Sequence, residues 1–298
     1  LEVNGLLAKL FFVHNQDETN FYSQLPIPTA PTDAPRNSPN DPPWGLPAAF
    51  GGWVISVILI IVLPGITLLP YLLTLDPPIT DNTAMVEFAQ TDKTAIFLQV
   101  LAIIPAHLLT LLFAWIVITK GRKFSFRQTL GWESGGVRWW HYVAILAGFL
   151  TIASIVGHYV PEQENDLIRI LRSSRATVYL VVFMATFTAP IVEEVVYRGL
   201  LYSAIQRAAG VPIAFLVVTL MFALVHVPQY YPSYSTIFLL TLLSVTLTGL
   251  RVRSKNLWPC IVLHMVFNGL QSVMILIETN TANPPSIDPS GIFFWLIK

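Results

Sequence analysis

Three clusters of polar residues interrupt apolar sequence in the second half of this 298-residue chain. The first is Pro190-Ile191-Val192-Glu193-Glu194-Val195-Val196-Tyr197-Arg198. Ionisable groups in hydrocarbon surroundings are costly, so two carboxylates and a guanidinium here are candidates for function. Successive residues of an α-helix are about 100° apart, and Glu193 and Glu194 therefore point to different faces. Arg198 stands at i+4 from Glu194 and i+5 from Glu193, and Glu before a cation at i,i+4 is the favourable order. The spacing pairs Glu194 with Arg198 and leaves Glu193 for another task. A buried structural ion-pair triad is the plainer explanation of the same residues.

The second cluster is Phe222-Ala223-Leu224-Val225-His226, followed by Pro228. One histidine near a helix end is commonly interfacial and not chemical. The third is His264 and Asn268, four apart on one face of a helix otherwise made of Ile261, Val262, Leu263, Met265, Val266 and Phe267. Helix–helix hydrogen bonding would account for that pair alone. Together the clusters say more. One unpaired carboxylate, two imidazoles and one amide, on three neighbouring apolar segments, suit water-mediated amide hydrolysis. A carboxylate can take a proton from water while an imidazole helps to hold that water. An imidazole and an amide NH₂ can donate to the oxyanion that develops on a scissile carbonyl. No GxSxG, Ser/Lys pair or usable cysteine offers a covalent nucleophile instead.

The elements that must position these residues are membrane-spanning helices. Hydrophobic residues make up 54% of the chain and charged residues 11%, where a soluble domain carries about 25% charged. Mean hydropathy is +0.63. Net charge is zero, which leaves no basic field for nucleic acid. The single cysteine, Cys260, excludes an internal disulfide, and no Cys/His cluster points to structural zinc. The expected architecture is all-α: a polytopic transmembrane bundle of about seven spans, with eight as the alternative, after a disordered Pro-rich arm. Residues 1–49 form that arm, with eight prolines between Pro26 and Pro47. The stretch Gly5–Val13 is too short to span and has no small-residue cleavage site after it, so it is not read as a signal peptide. N-terminal transmembrane helices occupy 50–160, catalytic helices 178–277, and a polar tail 278–298.

The spans are expected at about 53–75, 95–119, 140–160, 178–206, 212–227, 236–250 and 257–277. Alternating them puts the arm and loops 120–138, 207–211 and 251–256 on one side. That side holds Lys9, Arg36, Lys120, Arg122, Lys123, Arg127, Arg138, Arg207, Arg251, Arg253 and Lys255, against Lys93, Arg169, Arg172, Arg175 and Lys298 opposite. The excess predicts a multi-pass protein of the cell membrane with loops 120–138 and 251–256 cytoplasmic. Other polar residues read as bland: His107 answers a carbonyl freed by Pro105, and His14, His141 and His158 sit outside or at the edges of spans. Trp44, Trp53, Trp132, Trp139, Trp140 and Trp258 fall near span ends, as an aromatic belt would.

Glu193-Glu194-x-x-x-Arg198, Phe222-x-x-x-His226 and His264-x-x-x-Asn268, in this order on successive spans, resemble the CPBP family of CAAX prenyl proteases and bacteriocin-processing enzymes. The resemblance covers about residues 178–277, with no departure at these positions. It implies an intramembrane glutamic endopeptidase, acting without metal or cofactor, in which Glu193 and His226 activate water and His264 and Asn268 bind the oxyanion. Glu194, Arg198 and Phe222 would support the site. The substrate would be a membrane-associated protein or peptide, prenylated or not, reached from the lipid bilayer. Three other functions compete. A zinc-dependent intramembrane metalloprotease could use the same histidines and glutamates, but HExxH is missing and Arg198 beside Glu194 disfavours a cation. A transporter would be expected to show internal repeats. A non-catalytic bacteriocin-immunity or scaffold protein would bind a membrane partner without chemistry.

Overall fold

The computed structural model describes residues 38–281. All described residues belong to one compact unit. Among them the elements are helices, apart from an isolated bridge between Ser38 and Asp41. Seven are long and apolar enough to cross a membrane: α1 (Leu46–Leu72), α3–α4 (Lys93–Thr119, broken at Ala102), α6 (Trp139–Tyr159), α8 (Arg175–Ala209), α9 (Val211–Tyr230), α10 (Tyr234–Ser254) and α11 (Trp258–Thr281). Three short helices join them, α2 (Asn82–Thr91), α5 (Phe126–Leu130) and α7 (Asp166–Ser173). The protein is a multi-pass integral membrane protein. Ile61, Leu108, Leu112, Ile155, Leu216 and Leu224 point outward, which bilayer hydrocarbon accommodates and water would not.

Short polar side chains start the helices that follow loops. Asp81, Asp92, Asn165 and Ser174 each accept a backbone N–H of the turn they cap. Lys120 and Lys255 end α4 and α10 in left-handed conformation. Gly131, with φ +76°, ends α5 where a Cβ would come within 2.9 Å of the Asn256 Cα. That close approach lets Leu257 N–H reach the Leu130 and Gly131 carbonyls at 3.1 and 2.9 Å, which fixes the start of α11 against α5.

Three expectations need correcting. The Pro-rich arm was expected to be disordered through residue 49; residues 1–37 lie outside the described ones, but 38–49 are packed and α1 begins at Leu46. Proline-rich backbone has few N–H groups and many free carbonyls, and two arginines answer them. Arg251 donates to the Pro39 carbonyl at 2.6 Å and to Asn40 Oδ1 at 3.1 Å, while Arg207 donates to the carbonyls of Pro42 and Trp44. Arg251 is consequently no loop residue: it is buried near the end of α10. Trp44 and Trp53 likewise leave the aromatic belt. Their indoles donate inward to the Leu200 carbonyl and the Tyr197 hydroxyl, whereas Trp139 and Trp140 are exposed. Of the tail expected at 278–298, residues 282–298 lie outside the described ones.

Candidate active site

The site is built around an irregularity in α8. This helix passes through two π-helical stretches, Met184–Thr188 and Val195–Leu201, that flank the regular turn Ala189–Glu194. Such widened turns concentrate at functional sites. In the first stretch the Ala189 N–H reaches back five residues to the Met184 carbonyl. Pro190 is the residue that would serve Ala185 in the same register, and it has no N–H to give. The Ala185 carbonyl instead receives the side-chain amide of Asn268 at 2.8 Å. One missing N–H in α8 thus fixes the position of a side chain on α11.

The two glutamates separate as their helical phase requires. Glu194 and Arg198 form a 3.0 Å ion pair with both side chains wholly buried. Arg198 also donates to the Ser244 hydroxyl and carbonyl and to the Thr248 hydroxyl on α10, and its guanidinium lies 4.5 Å from the Phe222 ring centre. Phe222 packs edge-on to Tyr197 and His264 and against His226, forming a wall behind the polar groups. Glu193 is 23% exposed where Glu194 is 0%, so only Glu193 can meet a substrate.

Both histidines are turned by their Nδ1 atoms. His226 Nδ1 lies 2.7 Å from the Phe222 carbonyl, which can only accept, so this nitrogen carries the proton. His264 Nδ1 lies 2.9 Å from Glu194 Oε1 and donates in the same way. The Nε2 atoms are thereby aimed at Glu193, 3.9 Å from Oε1 for His226 and 3.8 Å from Oε2 for His264. These separations exceed direct hydrogen bonds, so both imidazoles face the carboxylate without closing on it. A carboxylate with two Nε2 atoms is the nearest approach to a ligand set in the site. Among the described residues, however, no three His, Cys, Asp or Glu side chains are grouped as metal ligands would be.

Glu193, His226, His264 and Asn268 all line one cavity of about 690 Å³, and Phe222 contributes to its wall. Glu194 and Arg198 stand behind it. His107 and Glu162, which the sequence reading did not assign to the site, also line the cavity. His107 bonds the Thr188 hydroxyl at 2.9 Å, not a carbonyl freed by Pro105. Glu162 enters from the segment between α6 and α7, and no local pattern marks it. Ser244 and Thr248 were also missed, although their four-residue spacing in an apolar span is the same signal that His264 and Asn268 give.

The described residues thus form an all-helical membrane bundle in which a buried ion pair backs a carboxylate and two imidazoles. Residues 175–270 match the family described as type II CAAX prenyl endopeptidase Rce1-like. All of the residues above from Glu193 to Asn268 fall inside the matched stretch. The chain is also 22% identical over 161 residues to the candidate membrane peptidase YdiL of Bacillus subtilis. That alignment takes in 53% of this chain and spans 62% of the length of YdiL. No solved structure shows significant similarity to the chain.

Proposed function

We propose that this protein is an intramembrane endopeptidase in which Glu193 is the general base. The observation that carries the proposal is the convergence of two Nε2 atoms, each fixed through its Nδ1, on the two oxygens of Glu193. A water held between Glu193 and His226 loses its proton to Glu193 as its oxygen attacks the scissile carbonyl carbon. The carbonyl oxygen becomes an oxyanion facing His264 and Asn268. Asn268 spends one N–H on Ala185 and has a second to donate. His264 already donates from Nδ1 to Glu194, so donating from Nε2 as well requires its imidazolium form. Collapse of the tetrahedral intermediate breaks the C–N bond, and Glu193 returns the proton to the leaving nitrogen. The substrate is a membrane-associated protein or peptide. The side that holds loops 120–138 and 251–256 is cytoplasmic in this reading.

Cleavage of membrane-anchored peptides by the purified protein in liposomes tests the reading. Glu193→Gln, which keeps shape and hydrogen bonding but removes the base, should abolish turnover while leaving the melting temperature near that of the parent. Cleavage should also survive exhaustive chelation. Loss of cleavage on chelation with rescue by added zinc would replace this mechanism with a metalloprotease.

A further inference from the structure

The cavity that holds Glu193 carries two more carboxyls, Glu162 and Asp166, and no lysine or arginine among its described lining residues. Most of the rest of its wall is apolar, with Val57, Ile60 and Ile103 on one side and Leu239 and Leu243 on another. With Glu162 ionised, low-dielectric walls concentrate its field, so this part of the cavity attracts a cation. Glu162 is the best anchored of the added groups. Its Oε1 accepts the Thr236 hydroxyl at 2.9 Å and the Asn165 amide at 3.3 Å, two donors that hold the side chain at the cavity wall. Its Oε2 is buried and has no hydrogen-bond partner among the described residues. A buried acceptor without a donor is costly, and a donor that arrives with a ligand recovers that cost. The last torsion of a glutamate is soft, so the carboxyl can turn an oxygen toward an incoming group.

We propose that Glu162 is a specificity-determining residue that receives a basic side chain of the substrate, so that the cavity selects peptide segments carrying lysine or arginine beside the scissile bond. The proposal rests on the peptidase reading above. A terminal carboxylate placed against Glu162 would be repelled, since Asp166 alone of the two is already paired, with Arg169 at 2.9 Å.

The test uses apolar peptides, amidated at the C-terminus and identical except for lysine, norleucine or glutamate scanned through each position. Cut sites and rates are read by mass spectrometry with the full-length protein in liposomes. At one fixed position relative to the cut, lysine should be preferred over norleucine by about tenfold or more, and glutamate should be refused. Glu162→Gln should erase that preference while still cutting the norleucine peptides, and Glu162→Lys should turn it toward glutamate. A merely structural Glu162 would lower all rates together and leave the preference in place. Should the variants fail to fold, the parent scan still decides: cleavage indifferent to lysine at every position overturns the proposal and leaves the peptidase reading intact. Binding of the lysine and norleucine peptides to Glu193→Gln supplies a readout without turnover. Preferential binding of lysine with no cleavage by the parent would sink the peptidase reading but retain cation recognition, and equal binding would overturn the recognition itself.

Discussion

Glu193 and Glu194 are chemically identical neighbours whose surroundings give them different tasks. Glu194 sits with Arg198 and His264 in a fully buried cluster, and its removal leaves a buried guanidinium with only neutral partners, Ser244 and Thr248. Breaking one side of such a pair costs on the order of 3–5 kcal/mol. Glu194→Ala should express poorly or melt early, and adding Arg198→Ala should restore part of the stability without full activity. Melting temperature and cleavage rate across the single and double variants check this; a folded, inactive Glu194→Gln beside a fully active Glu193→Gln would invert the assignment. Glu162 outside the spans offers a second prediction. Burial raises its carboxyl to about 7, against the opposing pull of Thr236 and Asn165. The folded state then keeps its proton at pH values where the unfolded chain, with an ordinary carboxyl near 4.5, has lost it. Stability from this group is present at low pH and is lost as pH rises across that window. Asp166 and Tyr230, which line the same cavity, add no positive charge to offset the ionised form. Glu162→Gln should therefore gain on the parent in melting temperature as pH goes from 5 to 8, and an unchanged gap would contradict the raised value.

At the scale of the element, α8 shows how a local defect becomes a positioning device. Pro190 leaves the Ala185 carbonyl without a helical donor, and Asn268 on α11 supplies one. The second π-stretch is answered in the same manner, since Arg251 donates to the Arg198 carbonyl and Trp44 to that of Leu200. Pro190→Ala would give α8 a backbone N–H able to compete with Asn268 for this region and to let the helix tighten. The expected result is a lower kcat, by up to about 100-fold for a displacement near 1 Å, with KM and melting temperature little changed. Kinetics of Pro190→Ala and Asn268→Ala should then resemble each other. Full activity in Pro190→Ala would show that the Ala185 contact is incidental to the site.

For the whole molecule, the packing gathers loop segments that the spans alternate to one end of the bundle. The Pro39–Trp44 stretch meets Ser203, Arg207 and Arg251, and Leu257 meets Leu130 and Gly131. At the opposite end Glu162 bonds Thr236, and Arg169 bonds the Gln90 carbonyl. Cysteines placed in 120–138 and in 251–256 should be labelled from the same face, which the proposed orientation makes the cytoplasmic one. Labelling from opposite faces would require a different number of crossings between them. The Arg251 contribution to this bias is smaller than the sequence count implies, because its guanidinium is buried against the Pro39 and Asn40 backbone and side chain.

What the sequence determined by itself is whatever obeys local periodicity. Long apolar runs became seven helices because hydrocarbon admits only backbone that is satisfied within its own segment. The split between Glu193 and Glu194 was legible because about 100° per residue is a property of one helix and needs no neighbour. The same arithmetic put His264 and Asn268 on one face, where the structure has both lining the cavity. Span ends were less legible: α8 and α10 run past their expected limits because charged residues there find partners across the bundle, as Arg207 and Arg251 do. The packed 38–49 segment was hidden for the same reason, since proline content reports the lack of internal hydrogen bonds and not the arginines that replace them. Only the tertiary structure brought Glu162 and His107 to the cavity, each from a distant part of the chain. Their own neighbours in sequence carry no trace of this, because the wall they share is assembled by helix packing, and a cavity exists only once several helices have enclosed it.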